Sequence, residues 1–231
     1  MTNLARPNTR RGLFITFEGT EGCGKTTQQR VLVSRLRGCG YSVTENQEPG
    51  TTRIGTQIRR ILLNPAHDEM SRMTELLLMF ASRTQAATEI IFPALERGDI
   101  VVSDRFTDST LAYQGEGRGL GFEVVRKLHQ LALGDLGPDI TLCIEIDIET
   151  GLSRARRRNR SSPKQESEAR LDRQSLEFHK RVGDAYKKIA ALEPQRFRFV
   201  DGRADMETVA ARVWSEVSPL LTGMRKQIVN A

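Results

Sequence analysis

"LFITFEGTEGCGKTT", residues 13–27, sets an apolar run directly before three glycines and a lysine. The first five residues read as a buried β-strand. Gly19, Gly24, Lys25 and Thr26 then match the spacing G-x-x-x-x-G-K-[ST]. Residues 25–40, "KTTQQRVLVSRLRGCG", follow as a helix ended by Gly38 and Gly40. Glycines at these points let backbone N–H groups converge on phosphate oxygens that a Cβ would obstruct. The helix adds the positive end of its dipole. Lys25 is placed to reach β- and γ-phosphates, and Thr26 to set its hydroxyl on Mg²⁺. The stretch implies a bound nucleoside triphosphate. It does not name a reaction, because the same loop serves switches, motors and transferases.

Outward from this loop, apolar strand-like runs alternate with helical patterns. Strands are expected at 13–17, 41–46, 99–104, 140–147 and 196–201. Helical patterns cover 56–64 and 71–98, the second kinked or restarted at Pro93, and a last helix over 206–221 buries Val209, Val213 and Val217. The alternation predicts an α/β fold: a five-stranded parallel sheet flanked by helices on both faces. The expected organisation is a basic tail over 1–12, one domain over 13–222 and a C-terminal tail over 223–231. The polar stretch "RSSPKQESEA", 160–169, reads as a mobile loop.

Composition narrows the class. The chain carries 35 Lys and Arg against 29 Asp and Glu, so its +6 charge attracts anions. The densest basic cluster, "RARRRNR" at 154–160, has no interleaved aromatic, unlike a sequence-tolerant single-strand binder. Nucleic acid is therefore not the expected partner. Cys23, Cys39 and Cys143 fit neither a disulfide framework nor a zinc site, which points to reduced thiols in a cytoplasm. No apolar run reaches the length of a membrane span. No Asn-Lys-x-Asp run offers to read guanine.

The stretch "DIVVSDRFTDSTLAYQG", 99–115, is the next most informative. Asp104 ends a strand, where a metal-associated carboxylate belongs. Arg105 follows it at the sheet edge where α/β folds bind ligands. Thr110, Tyr113 and Gln114 occupy i, i+3 and i+4 of a helical turn and share one face. His67, His129 and His179 read as ordinary surface or helix residues.

"GTEGCGKTT", "EPGTTRIGTQIR", "LLLMFASRTQ", "SDRFTDSTLAYQG" and "GLSRARRRN…RLDRQSLEFHKRV" together resemble the bacterial thymidylate kinases. The resemblance runs from about residue 13 to residue 200, in family order. It implies transfer of the γ-phosphoryl group of ATP to dTMP, giving dTDP and ADP in dTTP biosynthesis, with Mg²⁺, on a P-loop kinase fold in a homodimer. Gly19, Thr20, Glu21, Gly22, Cys23, Gly24, Lys25, Thr26 and Thr27, with Arg154, would bind ATP. Thr26 and Asp104 would serve Mg²⁺. Glu48, Arg59, Met79 or Phe80, Arg83, Arg105, Thr110, Tyr113 and Gln114 would hold dTMP. Within that set Arg59 and Arg105 take the acceptor phosphate, Arg83 and Gln114 the thymine edge. Glu21 lies near the acceptor sugar. An arginine-rich LID over about 153–171 would close on ATP.

Three departures from the family pattern matter. Gln47 stands where an arginine usually precedes "EPGG", and Thr51 replaces its second glycine. The thymine-stacking aromatic usually lies four residues before the arginine, which here is Met79, with Phe80 one residue late. Some members present an arginine just after the acidic residue of the loop; here Glu21 is followed by Gly22, as in others, so the loop offers none to the transferring group. Position then assigns the catalytic arginine to Arg158 in the LID, with Lys25, Arg105, Asp104 and Glu21 completing the catalytic set.

Overall fold

The computed structural model describes residues 12–161 and 166–224. Five parallel strands form one sheet in the order β2-β3-β1-β4-β5: β1 (Leu13–Glu18), β2 (Val43–Gln47), β3 (Ile100–Asp104), β4 (Ile140–Glu145) and β5 (Phe197–Asp201). The central strand is buried along its whole length, which is why it reads as a continuous apolar run. Side chains of β1, β3 and β4 divide by the period of two. Phe14, Val101 and Cys143 enter one core; Leu13, Ile15, Ile100, Val102, Leu142 and Ile144 enter the other.

Helices cover both faces: α1 (Lys25–Gly38), α2 (Arg53–Leu63), α3 (Arg72–Ala86), α4 (Phe92–Arg97), α5 (Thr107–Thr110), α6 (Phe122–Leu133), α7 (Ile148–Arg160), α8 (Leu176–Leu192) and α9 (Met206–Val217). Register positions the site. Phe17 and Gln47 both pair with Asp104, so β1, β2 and β3 end level. Their loops open onto the carboxyl edge of the sheet, where α/β folds bind ligands.

The expected strands are all present, with ends shifted by one or two residues. Pro93 restarts the long helix as expected: a π-helical segment, Ala87–Ile91, joins α3 to α4. Helix α2 begins three residues before the expected start, because Thr52 caps it by accepting from Gly55 N–H. Val209, Val213 and Val217 are buried. The sequence reading assigned no helix over 122–133 or 176–192. Gly12, placed in the tail, is already anchored by a 2.8 Å bond from its N–H to Leu95 O. The other tail residues up to 11 and from 225 lie outside the described residues, as do 162–165 of the expected loop. Among the described residues, no helix is long and apolar enough to cross a membrane.

Candidate active site

A cavity of about 860 Å³ opens at the carboxyl edge of the sheet. The glycine loop forms one wall. Gly24 adopts φ 100°, which lets the chain turn from loop into α1. A Cβ on Gly22 would lie 2.1 Å from Gly151 O of α7, so this position admits no arginine. Lys25 folds its ammonium back onto Gly19 O (2.9 Å) and Thr20 O (2.8 Å). Thr26 Oγ1 donates to Asp104 Oδ2 at 2.9 Å, joining the hydroxyl and carboxylate expected to share a metal. Glu21, Gly22, Gly24, Lys25, Thr26 and Thr27 line the cavity; the Cys23 side chain packs into the apolar core instead.

Arg105 stands at the centre of the floor. Its φ of 72° is costly for a non-glycine residue and marks a conformation imposed by its surroundings. Its N–H donates to Phe17 O at 2.9 Å, and the next N–H, of Phe106, donates to Glu18 Oε1 at 2.9 Å. Glu18 also accepts from Ser109 N–H and from Tyr186 OH, at 3.2 and 2.9 Å. Burial raises its carboxyl to about 7, against the pull of Arg105. The guanidinium of Arg105 donates to Ser109 Oγ (2.8 Å) and Tyr113 OH (3.1 Å) and lies 3.5 Å from Glu21.

Glu21 is itself buried. Tyr113 OH donates to its Oε1 at 2.5 Å. Its Oε2 lies 3.1 Å from Nδ1 of His179, outside hydrogen-bond alignment, since neither atom has a hydrogen-bond partner among the described residues. Burial alone would raise this carboxyl; His179, Arg105 and Lys25 outweigh burial and hold it at about 2. The expectation that His179 is an ordinary helix residue therefore needs correction. It is fully buried against the acidic residue of the loop, carried there by α8. His67 and His129 are only partly buried, and His129 pairs with Thr107 Oγ1.

The far end of the cavity is closed. Arg83 is 2% exposed; its Nε donates to Glu48 Oε2 at 2.5 Å and its Nη2 to Phe106 O at 3.1 Å. Burial pushes the Glu48 carboxyl up despite that partner. Arg83 Nη1 and Thr110 Oγ1 are buried with no hydrogen-bond partner among the described residues. Met79 lines this end, one turn before Arg83. Phe80 does not line the cavity and packs in the core beside Leu76 and Phe106, because one residue is about 100° of helix rotation. Thr110, Tyr113 and Gln114 all face the cavity, as their spacing predicts.

The residues at 17–213 match the family model described as thymidylate kinase. The chain is 49% identical to a thymidylate kinase of Pelobacter propionicus over 89% of this chain and 94% of that one. It is 47% identical to one of a Synechococcus strain, over 90% and 96%. A solved thymidylate kinase structure from Ehrlichia chaffeensis superposes with a TM-score of 0.73 at 30% identity, covering 90% of this chain and 99% of that one. The chain belongs to the thymidylate kinase family. A switch GTPase and a nucleic-acid-binding module, the other classes open to a basic chain with a glycine loop, are set aside by that membership.

The two departures from the family's "EPGG" stretch meet in one turn. Thr51 takes φ 48°, the conformation a glycine would supply. Its Oγ1 accepts from Gln47 N–H at 2.7 Å and donates to Gln47 O at 2.8 Å, closing the loop locally. Arg59 is held beside this loop by Pro49 O at 2.7 Å and by Glu168, 2.8 Å from its Nη2. Arg154 and Arg158 line the rim of the cavity. Arg158 is half-exposed, with Asp172 at 3.4 Å as its ion-pair partner. Glu18, Glu75, Glu168, Asp172, His179 and Tyr186 all lie in or against this site, and none was given a role there from sequence. Lone carboxylates and aromatics in helices carry no local signal; only folding brings them together.

Proposed function

We propose that the chain transfers the γ-phosphoryl group of ATP to dTMP, giving ADP and dTDP. Family membership supports the reaction. The observation that carries the choice of base is the pair of buried, unpartnered polar atoms, Arg83 Nη1 and Thr110 Oγ1, at the closed end of the cavity. An unpaired buried donor is costly, so a ligand that satisfies it is strongly preferred over one that does not. Met79 is the side chain placed to lie against the ring, in place of an aromatic.

The mechanism follows from charge and position. The acceptor is already an ionised phosphate, so no strong general base is required. Donor and acceptor repel, and the protein must cancel that repulsion while holding them in line. Arg105 and Arg59 take the acceptor phosphate. Backbone N–H groups of the loop and Lys25 take the donor. Glu21, held ionised, accepts from the acceptor sugar hydroxyl. Arg158 and Arg154 swing in with the LID to meet the transferring group. The Thr26 hydroxyl and Asp104 carboxylate suit Mg²⁺, which takes few protein ligands beside phosphates and water; no cluster of three metal-ligating side chains exists among the described residues. When bound, the ion neutralises charge on the phosphates.

We also infer a cytoplasmic homodimer. Ile54 and Ile61 lie on one face of α2, Met73 and Leu77 on one face of α3, and all four are more than 40% exposed. The test of function is ADP release with ATP, Mg²⁺ and a panel of dTMP, dUMP, dCMP, dGMP and AMP. dTMP is expected to give the highest kcat/KM. Faster turnover of dCMP, dGMP or AMP would overturn the reading.

A further inference from the structure

Glu75 is a buried carboxylate in this region that no motif explains. It sits on α3 at i−4 from Met79 and i−8 from Arg83, on the helix face that meets the cavity wall, and it is 1% exposed. Its Oε1 accepts from Gln114 Nε2 at 2.8 Å and from Arg118 Nε at 3.1 Å. Its Oε2 accepts from Arg118 Nη2 at 2.9 Å and faces Arg170 Nη2 at 2.7 Å. Burial alone would push the Glu75 carboxyl up; Arg118, Gln114 and Arg170 outweigh it and hold the group below the usual carboxylate range.

An ionised carboxylate can only accept. The end of the Gln114 amide that meets Glu75 must therefore be –NH₂, since the opposite orientation would set two acceptor oxygens against each other. The chemistry fixes what coordinates alone leave to assignment. The carbonyl Oε1 is then the end left for the cavity, which Gln114 lines. Across the same closed end, Arg83 offers an unpartnered N–H. The wall thus presents one donor and one acceptor in fixed places. A thymine or uracil edge offers the complement, a carbonyl at C4 and an N–H at N3. Cytosine offers the inverse, an amino group at C4 and an unprotonated N3, and would meet donor with donor and acceptor with acceptor.

We propose that Glu75 is a positioning residue that sets pyrimidine choice: it locks the Gln114 amide with its carbonyl toward the base, and Arg118 and Arg170 keep Glu75 in the form that can do so. The inference rests on the thymine reading above and extends it beyond the residues that touch the base. Arg170 also bonds to Leu62 O and, through its N–H, to Leu63 O. The chain leaving the arginine-rich segment is thereby tied to the same wall.

The test is Glu75→Gln. Arg118 and Arg170 will claim the carbonyl of the introduced amide and turn its –NH₂ toward Gln114. Gln114 must then rotate and present –NH₂ to the cavity, the arrangement cytosine prefers. The ratio of kcat/KM for dTMP to that for dCMP is expected to fall roughly tenfold or more, mainly through KM for dTMP. KM for ATP should stay within about twofold, as Glu75 does not touch the loop. A merely structural role would lower both acceptors alike and leave the ratio unmoved. A thermal melt establishes that the variant is folded. A folded variant whose ratio falls less than about threefold overturns the proposal. If Glu75→Gln does not fold, the wild-type enzyme decides with N3-methyl-dTMP, which lacks the N–H that the Gln114 carbonyl would accept. Binding about tenfold or more weaker than dTMP agrees; binding within about threefold overturns it. A wild-type enzyme with no preference for dTMP over dCMP removes the thymine reading itself. Wild-type preference with an unmoved ratio in the variant removes only the role of Glu75.

Discussion

Two arginines of the cavity are built in opposite ways. Arg83, at the closed end, is 2% exposed and fixed by Glu48 at 2.5 Å and Phe106 O at 3.1 Å. Arg158, on the rim, is half-exposed and approaches Asp172 at 3.4 Å. The first is rigid before any ligand arrives, so its ordering cost is met in folding rather than in binding. The second is held by one long contact at the surface. On the function proposed above, recognition of the acceptor and stabilisation of the transferring group fall to different walls, one buried and one exposed. An interaction that forms only as the charge develops raises kcat, whereas one present throughout mainly sets KM.

The largest expected effect breaks the fixed wall. Arg83→Ala leaves Glu48 buried without its counter-charge, in a site 4% exposed. Breaking a buried ion pair from one side costs about 3–5 kcal/mol. Chemical denaturation should register that loss, and dTMP turnover should fall with it. Glu48 can relieve part of the cost by taking up a proton, so the loss should shrink toward acidic pH. A double variant, Arg83→Met with Glu48→Gln, should recover stability without recovering the low KM for dTMP. A loss below about 1 kcal/mol for Arg83→Ala would show that the closed end is not held by this pair.

Next in size is Arg158→Ala. Its stability should stay within about 0.5 kcal/mol of wild type, because an exposed pair at that distance contributes little. Its kcat should fall between about tenfold and a thousandfold, with KM for both substrates changing far less. Arg154 lines the same rim and can take over part of the role. Steady-state kinetics of Arg154→Ala and Arg158→Ala, singly and together, measure this. Near-normal kcat in all three would abolish the distinction between the walls.

Much of this was legible in the sequence, for reasons that can be named. The glycine loop, Asp104 and Arg105 announce themselves because phosphate chemistry demands those residue types at fixed spacing beside a strand. Met79 rather than Phe80 at the cavity followed from helical rotation alone, since Arg83 is i+4 from Met79. The supporting residues were not legible. His179 meets Glu21 across 158 positions of sequence, and Tyr186 meets Glu18 across 168. Helix α8 brings both, and nothing local in "LEFHKRV" reports what its buried face will touch. The turn that Thr51 closes on the Gln47 backbone is short in sequence, yet it needs φ 48° at a threonine, which residue identity argues against. Folding supplies that conformation.

The smallest effect sharpens the comparison through pH. Glu18 supports the fixed wall from below, accepting from Phe106 N–H and Ser109 N–H while Arg105 lies 3.9 Å away. Burial raises its carboxyl from 4.5 to about 7; Asp108 adds to the rise, while Arg105, Ser109 and Phe106 oppose it. A raised native pKa means that the folded protein holds a proton which the unfolded chain has released. Between about pH 4.5 and 7 the native state therefore binds more protons, and stability falls as pH rises. The contribution is complete below 4.5 and gone once pH has passed about 7. Glu18→Gln removes the titration and keeps an acceptor for the two N–H groups. Denaturant midpoints of both proteins at pH 5 and pH 8 should show wild type losing about 1–3 kcal/mol more than Glu18→Gln over that interval. Parallel curves for the two proteins would mean that Glu18 is ionised in the native state across the range, and that Arg105 rather than burial governs it.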